Sequence, residues 1–110
     1  MKLVNLTPHA INIADAEGNI IRTISPTSPP ARATSRPVAK GEIDGIPFVE
    51  TLFGEVENLP DPQPDTYLIV SLVVIAAAAP ERDDLVRPDT GPTCVRDGEG
   101  KIIAVRALTR

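Results

Sequence analysis

Hydrophobic and polar positions alternate early in the chain. Ile11 and Ile13 flank polar Asn12, the period of two that sends successive strand side chains to opposite faces. Leu3 to Leu6 forms an apolar run before it, and Thr7-Pro8-His9, where proline forces a bend, separates that run from Ala10 to Ala14. Asp15-Ala16-Glu17-Gly18-Asn19 has turn composition, with Gly18 free to take positive φ, and Ile20 to Ile24 returns as the partner strand. A second hairpin is predicted where Val38 to Ile43 and Ile46 to Val56 flank Asp44-Gly45. In its returning run Val49, Thr51 and Phe53 share one face, and Phe48, Glu50 and Leu52 share the other.

Tyr67-Leu68-Ile69-Val70 is uniformly apolar, as expected of a central strand buried on both faces. The pattern then changes. The alanines of Leu72 to Ala79 favour helix and Ser71 suits an N-cap, which predicts strand, serine, helix. This helix stops at Pro80 or restarts there, with Glu81, Asp83 and Asp84 near its positive end. Arg87 to Thr93 has loop composition, and Cys94 to Arg96 with Lys101 to Leu108 form a last hairpin around Asp97-Gly98-Glu99-Gly100. Ser25 to Pro30 and Leu59 to Asp65 are proline-rich, extended connectors. About seven short strands and one short buried helix predict an α+β, mostly β fold. The expected architecture is a compact antiparallel sheet or partly open barrel in a single domain over residues 1–110.

Composition narrows the function. Twelve prolines disfavour a helical bundle. With no Trp, one Tyr and two Phe, little is available to stack nucleic-acid bases, and a net charge of −4 argues against DNA or RNA polymers. The one cysteine, Cys94, has no intrachain disulfide partner, fits a buried inert thiol, and with one histidine makes no Cys/His zinc site. Met1 to Leu6 lacks a signal-peptide core, and the most apolar stretch, Tyr67 to Ala79, is shorter than the about 20 residues a membrane helix needs. A soluble protein of a reducing cytoplasm is expected, with no membrane partner and no cofactor.

Several constellations offer candidate chemistry. Asp89-Thr90-Gly91 matches the aspartic-protease triplet, but it follows Arg87-Pro88 and precedes Pro92 with little chain left, so a turn capped by Asp89 is the better reading. His9 is the only histidine: it serves as a general acid or base or a phosphate contact, or it holds the Thr7-Pro8-His9 bend by hydrogen bonds to backbone. Eight of the eleven basic residues are arginine, a bias toward bidentate contacts with carboxylate or phosphate. Arg82, Arg87 and Arg96 stand among Asp83, Asp84, Asp89 and Asp97, so they either staple loops through carboxylate pairs or meet a ligand phosphate. No Gly-rich phosphate loop or Gly-x-Ser-x-Gly elbow is present, and the carboxylates match no EF-hand spacing, so no metal is expected.

Asn5-Leu6-Thr7-Pro8-His9-Ala10-Ile11, Tyr67-Leu68-Ile69-Val70-Ser71, Arg82 through Pro92 and Val95-Arg96-Asp97-Gly98-Glu99-Gly100 occur together. In this combination the chain resembles a group of small phage and prophage proteins, some of which neutralise nucleotide second messengers of bacterial immunity. The resemblance implies a phage anti-defence protein, acting in the host cytoplasm and oligomeric, that sequesters or cleaves a cyclic nucleotide or ADP-ribose derivative. His9 would act in any cleavage, as in a phosphodiesterase, and Thr7, Arg82, Arg87, Asp89, Thr90 and Arg96 would bind the ligand. The contrasting expectation is a non-enzymatic assembly factor or host-protein inhibitor working through an exposed strand edge and the proline connectors.

Overall fold

The computed structural model describes residues 2–27, 29–78 and 82–110. Along the chain these form β1 (Lys2–Asn5), β2 (Ile11–Ala14), β3 (Ile20–Ile24), β4 (Arg32–Ile43), β5 (Ile46–Glu57), β6 (Thr66–Ile69), α1 (Leu72–Ala78), β7 (Leu85–Pro88), β8 (Val95–Arg96), β9 (Ile102–Ala104) and β10 (Leu108–Thr109). The fold is α+β and mostly β. No helix among the described residues is long and apolar enough to cross a membrane.

The centre is the apolar run predicted to be buried on both faces. β6 lies between β1 and β7 in a four-stranded sheet of order β1-β6-β7-β10. Alternation along it divides the core. Leu68 and Val70 join Leu6, Ala31, Val74 and Leu85 on one face, while Ile69 joins Ile11, Ile24, Cys94 and Val105 on the other. Burial of Cys94 agrees with the sequence reading.

Within this sheet the pairing differs from the antiparallel expectation. β1 runs parallel to β6, and β6 to β7, with only β10 antiparallel. Alternation within a strand says nothing of neighbour direction, and both parallel pairs join segments distant in sequence or separated by α1. β7 itself falls partly on the stretch read as loop. Its strand geometry comes from β6 and β10 on either side, not from Arg87-Pro88. Ser71 does cap α1, its Oγ accepting the Val74 amide at 3.3 Å. The helix is nevertheless amphipathic rather than buried: Val74 is fully enclosed, whereas Leu72 is 59% exposed. Ala79, Pro80 and Glu81, where the helix was expected to stop or restart, lie outside the described residues.

Two hairpins, β2–β3 and β8–β9, are closed by the same turn. Asp15 Oδ1 accepts the amides of Glu17 and Asn19, and Asp97 Oδ1 accepts those of Glu99 and Lys101. In each, the aspartate amide donates to the carbonyl four residues on, and Gly18 or Gly100, at φ 88° or 86°, donates back to the aspartate carbonyl. The Asn19 amide, with the other turn donors, holds the Asp15 carboxyl below the usual carboxylate range.

The third hairpin departs from a compact outline. β4 starts at Arg32, earlier than the expected Val38, and pairs with β5 over twelve residues each, closing at Asp44-Gly45 with φ 54° and 77° as a type I′ turn requires. Only its base is packed, Ala33 and Val56 lying against the α1-side core. The remainder projects as an arm. The molecule measures 48 × 38 × 20 Å, with a radius of gyration of 16.5 Å against the roughly 13 Å expected for a compact chain of this length.

Candidate ligand-binding site

The bend after β1 is built around Asn5, a buried polar residue. Its Nδ2 donates to the carbonyls of His9 at 2.8 Å and Ile24 at 2.9 Å. Its Oδ1 accepts the Thr7 amide at 2.9 Å, and the Thr7 hydroxyl lies 2.7 Å from the same oxygen. Asn5 and Thr7 therefore hold the turn, a role that the sequence left open to the histidine ring. The His9 imidazole makes no hydrogen bond among the described residues; it is exposed at the rim of a cleft.

This cleft, about 540 Å³, lies over the core face opposite α1. Its rim carries His9, Thr90 and Lys101, and its walls include Ile11, Pro88 and Ile103. Asn12 fixes the wall where β2 meets β9: its Nδ2 donates to the Ile103 carbonyl at 3.1 Å, its Oδ1 accepts from the Thr23 hydroxyl at 2.8 Å, and its carbonyl accepts the Val105 amide at 2.9 Å. Ala14 donates back to the Val105 carbonyl at 2.8 Å. The cleft is thus bounded by backbone held on both sides. It offers one ammonium, one imidazole and one hydroxyl above an apolar surface, which suits an anion attached to a flat or apolar body.

Of the residues expected to form one pocket, His9 and Thr90 come together here. Thr7, Arg82, Asp89 and Arg96 have local partners, and Arg87 turns to another face. Arg82 makes a bidentate pair with Asp84, at 2.9 and 2.8 Å, and also donates to the Pro60 carbonyl at 2.9 Å. This pairing raises the Arg82 pKa and holds the Asp84 carboxyl below its ordinary 3.8. Asp84 borders a different cleft of about 400 Å³ that shares no lining residue with the first. Arg87 alternates with Val86 and Pro88 along β7, which puts it on the Leu85 face beside α1, and its buried Nε has no partner among the described residues. Asp89 Oδ1 accepts the Gly91 amide at 3.0 Å, the turn-capping role favoured from sequence. Arg96 donates to the Gly100 carbonyl at 2.7 Å across the β8–β9 turn.

Four of the eight arginines therefore serve the loops, largely through carbonyls rather than carboxylates. Arg106 bridges the carbonyls of Asp15 and Thr93 at 3.0 and 2.6 Å, and Arg110 reaches that of Asp83 at 2.7 Å. Sequence reading missed Asn5, Asn12 and Lys101. Asparagine inside strand-like runs was the available signal for the first two, since the buried Asn5 amide must have partners and the half-buried Asn12 finds them at the β2–β9 seam. No group of three or more His, Cys, Asp or Glu side chains among the described residues is placed to share a metal. Compared with known proteins, the chain matches no family model, no curated protein and no solved structure.

Proposed function

We propose that the chain sequesters a phosphate-bearing nucleotide signal in the cleft beneath His9, Thr90 and Lys101, as a phage anti-defence protein. The observation that carries this reading is the cleft itself, whose volume lies in the range of small-ligand sites and whose rim joins a cation and an imidazole to an apolar wall. Lys101 and Thr90 meet the phosphate, and the wall covers the base or sugar. Retention is favoured over cleavage because, among the described residues, no carboxylate or second imidazole lines the cleft to share proton transfer with His9. Titration calorimetry against cyclic dinucleotides, cyclic trinucleotides and ADP-ribose derivatives tests this. One of them binds, is recovered intact after denaturation, and loses about tenfold or more in affinity with Lys101→Ala. Absence of binding by the whole panel, or full affinity in the variant, sinks the reading.

A second reading, an assembly or interaction module, is favoured by one separate observation: the β4–β5 arm carries an exposed apolar surface far from this cleft.

A further inference from the structure

Outside its base, the arm packs against no other element among the described residues. A two-stranded hairpin standing alone in water is marginal, so twelve-residue strands held only at one end call for a covering surface. The register shows which side chains need cover. Phe53 opposite Ser35 and Val49 opposite Ala39 lie on one face; Leu52 opposite Arg36, Phe48 opposite Gly41 and Ile46 opposite Ile43 lie on the other. Both faces are apolar. Ile46 is 66% exposed and Phe48 47%, and the large apolar residues of the arm together leave roughly 600 Å² in water over its two faces, at the upper end of the about 300–600 Å² that a monomer's largest apolar patch covers. That approaches the about 800 Å² each partner contributes to a stable interface, and α1, which packs on the arm's base, adds exposed Leu72 and Val73.

The charges indicate the occupant. β4 carries Arg32, Arg36 and Lys40 against a single Glu42, whereas β5 carries Glu50, Glu55 and Glu57 and no base. Lys40–Glu50, at 3.3 Å, is the arm's only ion pair among the described residues. A ribbon basic along one strand and acidic along the other complements another copy of itself. Pro37 and Pro47 interrupt its edges and disfavour open-ended strand addition.

We propose that the β4–β5 arm is a homo-oligomerisation arm, its two apolar faces covered by a second copy of this chain with the basic β4 of one copy beside the acidic β5 of the other. This stands on the arm alone and is independent of nucleotide binding. Sedimentation equilibrium of the full chain tests it: wild type has at least twice the single-chain mass, and Phe48→Glu with Phe53→Glu yields single chains whose circular dichroism still reports the sheet. Arg36→Glu and Glu55→Arg each weaken association about tenfold, and an equimolar mixture of the two recovers mass that neither variant reaches alone. This mixing result decides the matter should the phenylalanine variant fail to fold. A wild-type chain that sediments alone overturns the proposal, even if another protein binds the arm. So does association that survives the glutamates, or a mixture no heavier than its components.

Discussion

Asn5 shows how much one side chain fixes. It occupies the last position of β1, 1% exposed, and its amide meets a carbonyl and a backbone amide in the following bend and a second carbonyl at the end of β3. Asn5→Ala removes every one of these partners at once, and a buried group left without a partner costs about 1–3 kcal/mol. The substitution is expected to lower unfolding free energy by about 3 kcal/mol in urea titration, whereas exposed His9→Ala stays within about 0.5 kcal/mol. Equal losses in the two would return the bend to the histidine. Asp84 supplies a pH dependence. Its pKa is depressed by Arg82, so its contribution is complete above the ordinary carboxylate value and is lost as pH falls through the lower folded value. The raised pKa of Arg82 acts only at extreme alkalinity and changes nothing near neutrality. Arg82→Gln should therefore flatten the acid side of the stability profile between about pH 5 and pH 2 while leaving the part due to Asp15. An unaltered slope would show that the pair does not stabilise the fold. The arginine–aspartate proximity was visible in the sequence; which arginine met which aspartate was not, because Arg96 finds a carbonyl instead and the phase of β7 turns Arg87 toward α1.

Elements were legible where the information is local. Alternation and Asp-Gly or Asp-x-x-Gly spacing identify three hairpins, because turn chemistry is settled within five residues. The twin turns sharpen this into an expectation. No atom lies within 4 Å of where a Gly100 side chain would begin, yet its φ of 86° is unfavourable for an L residue. Gly100→Ala should cost about 1–2 kcal/mol without any steric clash, read as a lower denaturation midpoint. A neutral result would mean that the turn relaxes to another geometry. Ser71 was similarly local, and β7 was not. Nothing in Leu85-Val86-Arg87-Pro88 outweighs its proline except the two strands that flank it, and those come from elsewhere in the chain. The same non-locality hid the candidate site. Thr90 and Lys101 approach His9 only because β9 crosses β2, and Arg87 is excluded only because the phase of β7 turns it toward α1.

At the scale of the whole molecule, stability is divided unevenly. The cores on the two sheet faces lie within the body, and the arm adds only Ala33 and Val56 to them. Replacing residues 37–51 by a two-residue Asn-Gly turn deletes no core side chain, so the body should retain its cooperative unfolding with a free-energy change of about 1 kcal/mol or less. The proposed association makes a further demand. If copies of the folded chain bind one another, mass action adds stability that rises with concentration, and the melting temperature of the intact chain must climb as protein is added. The shortened chain keeps Arg36, Phe53 and Glu55 but has lost Ile43, Ile46, Phe48 and Val49, most of the apolar surface responsible, and its melting temperature must be nearly flat over the same range. Differential scanning calorimetry at several concentrations separates these cases. Parallel slopes for the two proteins would place association on the body, whereas a rise confined to the intact chain assigns it to the arm.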